Sequence, residues 1–321
     1  MNNNRRRFLA VVAAAALSPS VRATPVKRVR FRALGTDAQI TLTGEPANAE
    51  AALQACRREI AAIERSFSLY NPDSLLSQLN RNSSIVKTLR FTTLVQHALI
   101  MAEATDGAFD PTMQPLWRAM AADEDPELAR RLIDWRKLQV TQQRVQFTHP
   151  DMAASFNGIA QGYAADRVAA ILLQHGFKDT LVNLGEFAVQ GTKPAPVTHD
   201  PASLKPPGRE PANAQTPWRL GIYNPLTHGI VAHIEPVGAI ATSEPRGTLV
   251  AGQPHIVDPL GRTGERWVSV TVEAGEAWRA DALSTAIAAS PIRHTDDLLI
   301  AGGATRAWLI AASGALREWQ V

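Results

Sequence analysis

Apolar residues recur along the chain at two spacings, and these spacings predict its helices and strands. Alternation on both sides of Gly35 predicts two strands, or one bent strand, across residues 29–42. Spacings of three and four predict the following helices: residues 47–65, a short helix from Asp73 or Ser74 to Asn80, a helix from Thr92 or Thr93 to Ala104, and residues 126–135. Between them, residues 107–117 (GAFDPTMQPLW) predict a loop because two prolines interrupt regular structure.

The second half of the chain is richer in strand patterns. Residues 137–149 alternate on both sides of a polar pair and predict a hairpin. Further strands are predicted within residues 218–224, 230–242, 267–272 and 307–312. Seven prolines fall within residues 192–217, which predicts an irregular surface insertion and not a domain boundary, because the strands after it need partners from before it. Without a strict βαβ alternation, the expected fold is a mixed α+β single domain over residues 24–321.

A central segment, residues 155–191, joins a glycine-bearing turn to a helix and a buried strand. Gly158 and Gly162 open the helix, Gly176 closes it, and the run LVNLG follows as the strand. Free backbone N–H groups at such a helix start suit a phosphate-bearing ligand. Glycines also serve simple chain reversal in α/β units, and local sequence alone leaves both interpretations open.

The first residues predict export. Arg5, Arg6 and Arg7 precede an apolar run too short to span a bilayer permanently, and Val21-Arg22-Ala23 offers a cleavage site. This pattern is typical of a Tat-type signal over residues 1–23 and predicts a periplasmic protein without stable membrane insertion after cleavage. Removing residues 1–23 takes away four arginines, which leaves 29 basic against 30 acidic side chains. The charge balance therefore does not indicate a nucleic-acid partner.

Two further segments carry candidate chemistry. Asp281 and Thr285 are four residues apart in ADALSTAIAAS, so on a helix they would present two hard oxygens to one point, as a Mg²⁺ site with additional ligands requires. The alternative is that Asp281 is only an N-cap. His255 precedes an Asp-Pro turn at a strand end, where an imidazole could act as a base or hold a ligand. Without HExxH, GxSxG or P-loop motifs, zinc, α/β-hydrolase and P-loop chemistry lack their signatures. Cys56, the single cysteine, is expected in the core.

Taken in order, these motifs resemble the ApbE family of FAD:protein FMN transferases. The resemblance rests on FSLYNPDSLLSQLN, GAFDPTMQPLW, GIAQGYAADR, LVNLGE, AIATSE, HIVDP and ADALSTA, and it covers nearly all of the chain from Arg32 to about Ala289. It implies a T-fold-related domain that binds FAD and Mg²⁺. It also implies attack of a Thr or Ser hydroxyl of an acceptor protein on the FMN phosphorus of FAD, with release of AMP.

The resemblance also implies roles for individual residues. The metal ligands would be a backbone carbonyl of Gly158 and the side chains of Asp281 and Thr285, and Asp281 is thereby placed in catalysis. His255 matches a position near the flavin nucleotide and is assigned as the base for the incoming hydroxyl. The other expected nucleotide contacts are Asp110, Gln161, Gly162 and Ser284.

Three positions depart from the family pattern. Gln161 stands where the family usually has lysine, and Glu186 and Glu244 stand where it has glycine. A glutamate adds bulk and negative charge near a nucleotide phosphate. Three readings follow: a working transferase with altered FAD contacts, a flavin-binding maturation factor with little turnover, or an FAD pyrophosphatase that gives FMN and AMP.

Overall fold

A computed structural model describes residues 26–44, 48–194 and 215–321. The expected export signal, residues 1–23, lies outside the described residues, as does most of the proline-rich insertion. The helices are α1 (Ala49–Phe67), α2 (Leu75–Asn82), α3 (Leu89–Ala104), α4 (Gln114–Ala122), α5 (Pro126–Arg130), α6 (Ala160–Gln174), α7 (Ala277–Ala289) and α8 (Thr295–Gly302). In the described part of the chain, no helix has the length and apolar character needed to cross a membrane.

The strands form one large antiparallel sheet and several small ones. The large sheet has the order β1 (Val26–Ala33), β2 (Thr36–Thr43), β6 (Asp179–Asn183), β7 (Phe187–Gln190), β12 (Ala239–Ser243), β15 (Ser269–Ala274), β16 (Arg306–Ile310) and β17 (Leu316–Gln320). The small sheets pair β3 (Ser84–Val86) and β4 (Leu138–Val140) with β5 (Arg144–Phe147), β8 (Lys193–Pro194) with β9 (Gln215–Thr216), β10 (Leu220–Asn224) with β11 (Gly229–Ile234), and β13 (Leu249–Val250) with β14 (Gln253–Pro254). Strands from before and after the insertion thus share one sheet, and the α+β prediction is confirmed.

The central strands of the large sheet are buried on both faces, whereas the edge strands β1 and β17 are largely exposed. Along β16, Ala307 and Leu309 belong to the main core, which the helices complete, whereas Trp308 points into a second core beneath β10 and β11. On β6, likewise, Val182 belongs to the main core and Leu181 to the second core. This period of two is the alternation expected of a strand that is covered on both sides. Helices α6 and α7 pack against each other on the helical face.

Several predicted elements are confirmed with sharper bounds. β1 and β2 form a hairpin whose turn includes Gly35 at φ 75°. Ser74 caps α2, since its hydroxyl accepts the Ser77 N–H at 3.0 Å. The predicted start of α3 at Thr92 or Thr93 is wrong, because Thr88 caps this helix from one turn earlier and accepts the Phe91 N–H at 3.4 Å.

Two proline-containing segments also differ from expectation. The predicted loop 107–117 includes the start of α4, because Pro115 occupies the first turn, where no backbone N–H is needed. The predicted helix 126–135 ends at Arg130, and a separate 3₁₀ turn covers Trp135–Lys137. Asp134 caps that turn by accepting the Arg136 N–H, so two short helices replace one longer helix.

Candidate active site

The site is built around the start of α6, where Gly162 lets two helices approach closely. A Cβ at Gly162 would overlap the Ala277 carbonyl and lie 2.8 Å from the Asp281 Cβ. Without that Cβ, the Gly162 N–H donates to Asp281 Oδ2 at 2.9 Å. This N–H is therefore not free, because a carboxylate of the same chain already accepts it, and the expected nucleotide contact of Gly162 stays a prediction. The positive end of the α6 dipole stabilises that carboxylate.

Asp281 is buried, with 4 % of its surface exposed, in the second turn of α7. Burial raises the pKa of its carboxyl to about 7; the Gly162 and Gln161 N–H groups act to lower the pKa, and the nearby Asp166 carboxylate acts to raise it. The alternative that Asp281 is only the N-cap of its own helix is excluded, because Glu276 occupies that position.

Asp166 of α6 makes the matching contact in the other direction. Its two carboxylate oxygens accept the Ala277 and Trp278 N–H groups, each at 2.9 Å. Glu276 provides no side-chain cap, so α7 takes its cap from a neighbouring helix. Burial raises the pKa of Asp166 to about 6.

Three hydroxyl groups lie one turn further along α7 and at the end of β12. Ser243 Oγ is 2.8 Å from Ser284 Oγ and 3.3 Å from Thr285 Oγ1, and Ser284 Oγ donates to the Asp281 carbonyl at 3.0 Å. Gly158 packs on the same residues, since a Cβ there would be 2.9 Å from Thr285 Oγ1. The glycine turn, the Asp281 carboxylate and the Thr285 hydroxyl are therefore gathered in one place.

His255 follows the β13–β14 hairpin, on the loop that continues from Ser243. Its Nδ1 lies 3.1 Å from the Pro245 carbonyl oxygen and 3.0 Å from that of Thr248. Carbonyl oxygens only accept, so Nδ1 carries a hydrogen, and in the neutral ring Nε2 then holds the lone pair. This tautomer is the one that a general base needs. The hydrogen bond to Pro245 links the imidazole to a residue two positions beyond the hydroxyl cluster.

Asp110 lies in a separate hydrogen-bond network. Its Oδ1 accepts the Thr112 N–H and hydroxyl, both at 2.7 Å, and its Oδ2 accepts the Trp135 N–H at 3.1 Å. Burial raises the pKa of this carboxyl to about 6. These bonds order the GAFDP loop, whose Gly107 faces Leu260 on the loop after His255. The expected nucleotide contact of Asp110 stays a prediction.

Two of the three unusual residues have structural partners. Gln161 Nε2 donates to the Leu34 carbonyl at 3.4 Å, and its amide lies against Gly185, where φ is 106° and a Cβ would overlap it. Glu186 accepts the Thr242 N–H at 2.9 Å and so joins the β6–β7 turn to β12. The expectation that the bulk and charge of Glu186 oppose a nucleotide phosphate stays a prediction, and this hydrogen bond gives the residue a structural role besides.

The donor chemistry of the site fits magnesium. Asp281, Thr285, Ser243 and the Gly158 turn offer oxygen atoms only, and Mg²⁺ is commonly held by one or two carboxylates together with substrate phosphates. Among the described residues, no group of three or more His, Cys, Asp or Glu could hold a metal.

Comparison with known proteins decides the family, because the sequence model described as "ApbE family" matches residues 34–305. The chain belongs to the ApbE family. It is 28 % identical to the FAD:protein FMN transferase of Salmonella typhimurium, and the alignment covers 83 % of this chain and 79 % of that protein. It is 27 % identical to the FAD:protein FMN transferase of Escherichia coli K12, and the alignment covers 83 % of this chain and 78 % of that protein.

Solved ApbE structures share the fold. The flavin transferase ApbE from Vibrio cholerae superposes with a TM-score of 0.75 at 23 % identity and covers 92 % of this chain and 97 % of its own. The ApbE protein from Thermotoga maritima superposes with a TM-score of 0.75 at 25 % identity and covers 91 % of this chain and 96 % of its own.

In this ApbE chain the structure gathers most of the predicted site residues. Gly158, Gln161 and Gly162 meet Asp281, Ser284 and Thr285 between α6, α7 and β12, whereas Asp110 and His255 stand on two neighbouring loops. Sequence reasoning missed Ser243 and Asp166. The available signals were the position of Ser243 beside Glu244 and that of Asp166 four residues after Gly162. Neither position indicates which residue the side chain contacts.

Proposed function

We propose that this chain transfers FMN from FAD to a Thr or Ser hydroxyl of an acceptor protein, with Mg²⁺ and with release of AMP. Membership of the ApbE family over residues 34–305 carries the proposal. The relatives named FAD:protein FMN transferase support the reaction, and the meeting of Asp281, Thr285 and the Gly158 turn supports the location of the site.

In this proposal the magnesium ligands are the Asp281 carboxylate, the Thr285 hydroxyl and a backbone oxygen of Gly158. When bound, Mg²⁺ neutralises charge that develops on the phosphoryl oxygens during transfer. The protein prepares these ligands in advance: the Gly162 N–H holds Asp281 Oδ2, and Ser243 contacts the Thr285 hydroxyl. Such preorganisation favours the transition state, because the ligands need little reorganisation during the reaction.

The acceptor hydroxyl must lose its proton as it attacks. Its oxygen forms a bond to the FMN phosphorus while the bond from that phosphorus to the AMP oxygen breaks, and AMP leaves with the bonding electron pair. His255 Nε2 accepts the proton and later passes it to solvent. The Pro245 and Thr248 carbonyls hold the imidazole in the tautomer that this step needs.

The proposal is tested with the purified protein, FAD, Mg²⁺ and an acceptor domain that carries the modified threonine. We expect AMP in solution and covalent flavin on the acceptor, and both should disappear in Asp281→Ala and after chelation of the metal. Asp297→Ala is the matched control, because this carboxylate is exposed at the start of α8.

Other product patterns would identify other functions. FMN and AMP without a labelled acceptor would indicate an FAD pyrophosphatase, in which water replaces the hydroxyl. Tight FAD binding without AMP would indicate a flavin-binding maturation factor. The hydrogen bonds of Gln161 and Glu186 favour an active enzyme over the maturation factor, because they give these unusual residues structural roles that do not require loss of activity. The relatives named FAD:protein FMN transferase favour the transferase over the pyrophosphatase.

We also propose that residues 1–23 direct Tat-dependent export to the periplasm. The twin arginine and the short apolar run support this proposal. Replacing Arg5, Arg6 and Arg7 by lysine should retain the protein in the cytoplasm, and fractionation of cells would measure the change. Periplasmic accumulation of the lysine variant would contradict the proposal.

A further inference from the structure

Helices α6 and α7 exchange caps through a repeated arrangement. On α6, Gly162 supplies an N–H and Asp166, four residues later, supplies a carboxylate. On α7, Ala277 supplies an N–H and Asp281, four residues later, supplies a carboxylate. Each carboxylate accepts the N–H of the opposite helix at 2.9 Å. The two contacts are therefore parts of one interface, and the position of either carboxylate depends on both.

This interface fixes the segment of α7 that carries the candidate ligands. Asp166 holds the first turn of α7 at two N–H groups, Asp281 follows in the second turn, and Thr285 lies one turn beyond it. The helix start has no side-chain cap of its own, so Asp166 provides hydrogen bonds that Glu276 does not. Movement of this turn would shift Asp281 relative to Gly158 and Gly162.

We propose that Asp166 is a positioning residue for the cation site: by capping α7 it holds the Asp281 carboxylate where a divalent cation can bind. This inference rests on the proposed function, because it assigns Asp281 to the metal. Asp166 acts through the backbone of α7 and needs no contact with the metal or FAD. Residues that orient a metal ligand commonly contribute about 10- to 100-fold to metal affinity.

Asp166→Asn tests the inference with little change in side-chain volume. An amide retains one acceptor oxygen, but its NH₂ group would face either the Ala277 or the Trp278 N–H. We expect the dissociation constant for Mn²⁺, measured by electron paramagnetic resonance on the FAD-free protein, to rise about 10-fold or more. In the AMP-release assay, the apparent KM for Mg²⁺ should rise while kcat recovers at saturating Mg²⁺.

Asp125→Asn is the matched control. Asp125 Oδ1 accepts the Glu127 N–H at 2.9 Å as the cap of α5, so the same chemical change is made at another helix start. Its Mn²⁺ affinity should equal that of the wild type. Equal affinity of Asp166→Asn and the wild type would overturn the inference. A kcat that stays low at saturating Mg²⁺, with unchanged Mn²⁺ affinity, would also overturn it and would indicate a general structural role.

A measurement on the wild type covers the case in which the variant does not fold. Binding of Mg²⁺ should slow hydrogen exchange at the Ala277 and Trp278 amides, because the bound ligand and the capped turn are coupled. Unchanged exchange at these amides would overturn the inference. If the wild type binds Mn²⁺ but releases no AMP, the proposed function fails, while the Asp166→Asn affinity still decides the inference. If the wild type binds Mn²⁺ only when FAD is present, the affinities of Asp166→Asn and the wild type are compared in the presence of FAD. If it binds no Mn²⁺ with or without FAD, both fail.

Discussion

Asp166 and Asp281 each accept a backbone N–H from the helix that carries the other. The buried carboxylate of Asp281 and the half-buried carboxylate of Asp166 repel each other when both are ionised, and the backbone N–H groups and the positive helix ends offset that repulsion. The arrangement also depends on close approach of the helix axes. Gly162 allows it, because the space for its Cβ is taken by the Ala277 carbonyl and the Asp281 side chain.

Gly162→Ala should separate the two helices. Alanine favours a helix more than glycine does by about 1 kcal/mol, but the overlap with the Ala277 carbonyl forces the backbones apart. We expect a net loss of about 1–3 kcal/mol in the free energy of unfolding, measured by urea titration, together with weaker Mn²⁺ binding.

Gly275→Ala is the control for this substitution. Gly275 lies just before α7, has no positive φ, and has open space at its Cβ position. Its replacement should leave stability unchanged or raise it by up to about 1 kcal/mol, since the unfolded chain loses freedom. Equal stability of the Gly162→Ala and wild-type proteins would contradict the packing argument.

Parts of this site could be predicted from the sequence because they lie on one element. Asp281 and Thr285 share a helix face through their i, i+4 spacing, and the glycine turn before α6 can be recognised in the sequence. The partners of Asp166 were out of reach, because Ala277 is 111 residues away and only the packing of α6 on α7 unites them. The same holds for Glu186 and Thr242, because the turn before β7 meets β12 only when these two strands pair in the large sheet.

The bounds of the helices also could not be predicted fully from the sequence. The apolar spacing located α3, but the cap at Thr88 added a turn that the periodicity does not contain. In the sequence, Pro115 predicted an interruption of regular structure. A proline in the first turn of a helix is compatible with that helix, and Pro115 lies in the first turn of α4. In both cases the local hydrogen bonds at the helix start, and not the hydrophobic pattern, determine the boundary.

Ser243→Ala should loosen the hydroxyl cluster. It removes the contacts to Ser284 Oγ and Thr285 Oγ1, so the Thr285 hydroxyl loses a fixed orientation. We expect a loss of about 1 kcal/mol in stability and a rise of about fivefold in the apparent KM for Mg²⁺. Ser269→Ala is the control, because the buried Ser269 Oγ finds no hydrogen-bond partner in the described part of the chain and its removal should cost nothing. An unchanged KM in Ser243→Ala would show that Ser243 does not orient Thr285.

His255→Asn should separate chemistry from binding. The asparagine amide can still donate to the Pro245 or Thr248 carbonyl, but it offers no base at the Nε2 position. We expect flavin transfer to slow by about 10²- to 10⁴-fold, while FAD affinity, measured by flavin fluorescence, stays within about threefold. His149→Asn, at an exposed position, should behave as the wild type. Wild-type transfer rates in His255→Asn would exclude His255 as the base.

Asp110 should make the protein less stable as the pH rises. Burial raises the pKa of its carboxyl from 3.8 to about 6 in the folded state, so the folded protein binds the proton more tightly than the unfolded chain. Its stabilising contribution is therefore complete below about pH 4 and is lost as the pH rises through 6. The slope for one such group is at most about 1.4 kcal/mol per pH unit.

Urea unfolding between pH 4 and 7 measures this dependence, and two variants isolate it from the other buried carboxyls. Asp110→Asn cannot titrate there, so its stability should fall less steeply with pH than that of the wild type. Thr112→Val removes the hydroxyl that donates to Asp110 Oδ1, a bond that lowers the pKa, so the loss of stability should extend to higher pH. A stability difference between the wild type and Asp110→Asn that stays constant from pH 4 to 7 would contradict the prediction, because it would show that the Asp110 carboxyl has the same pKa in the folded and unfolded states.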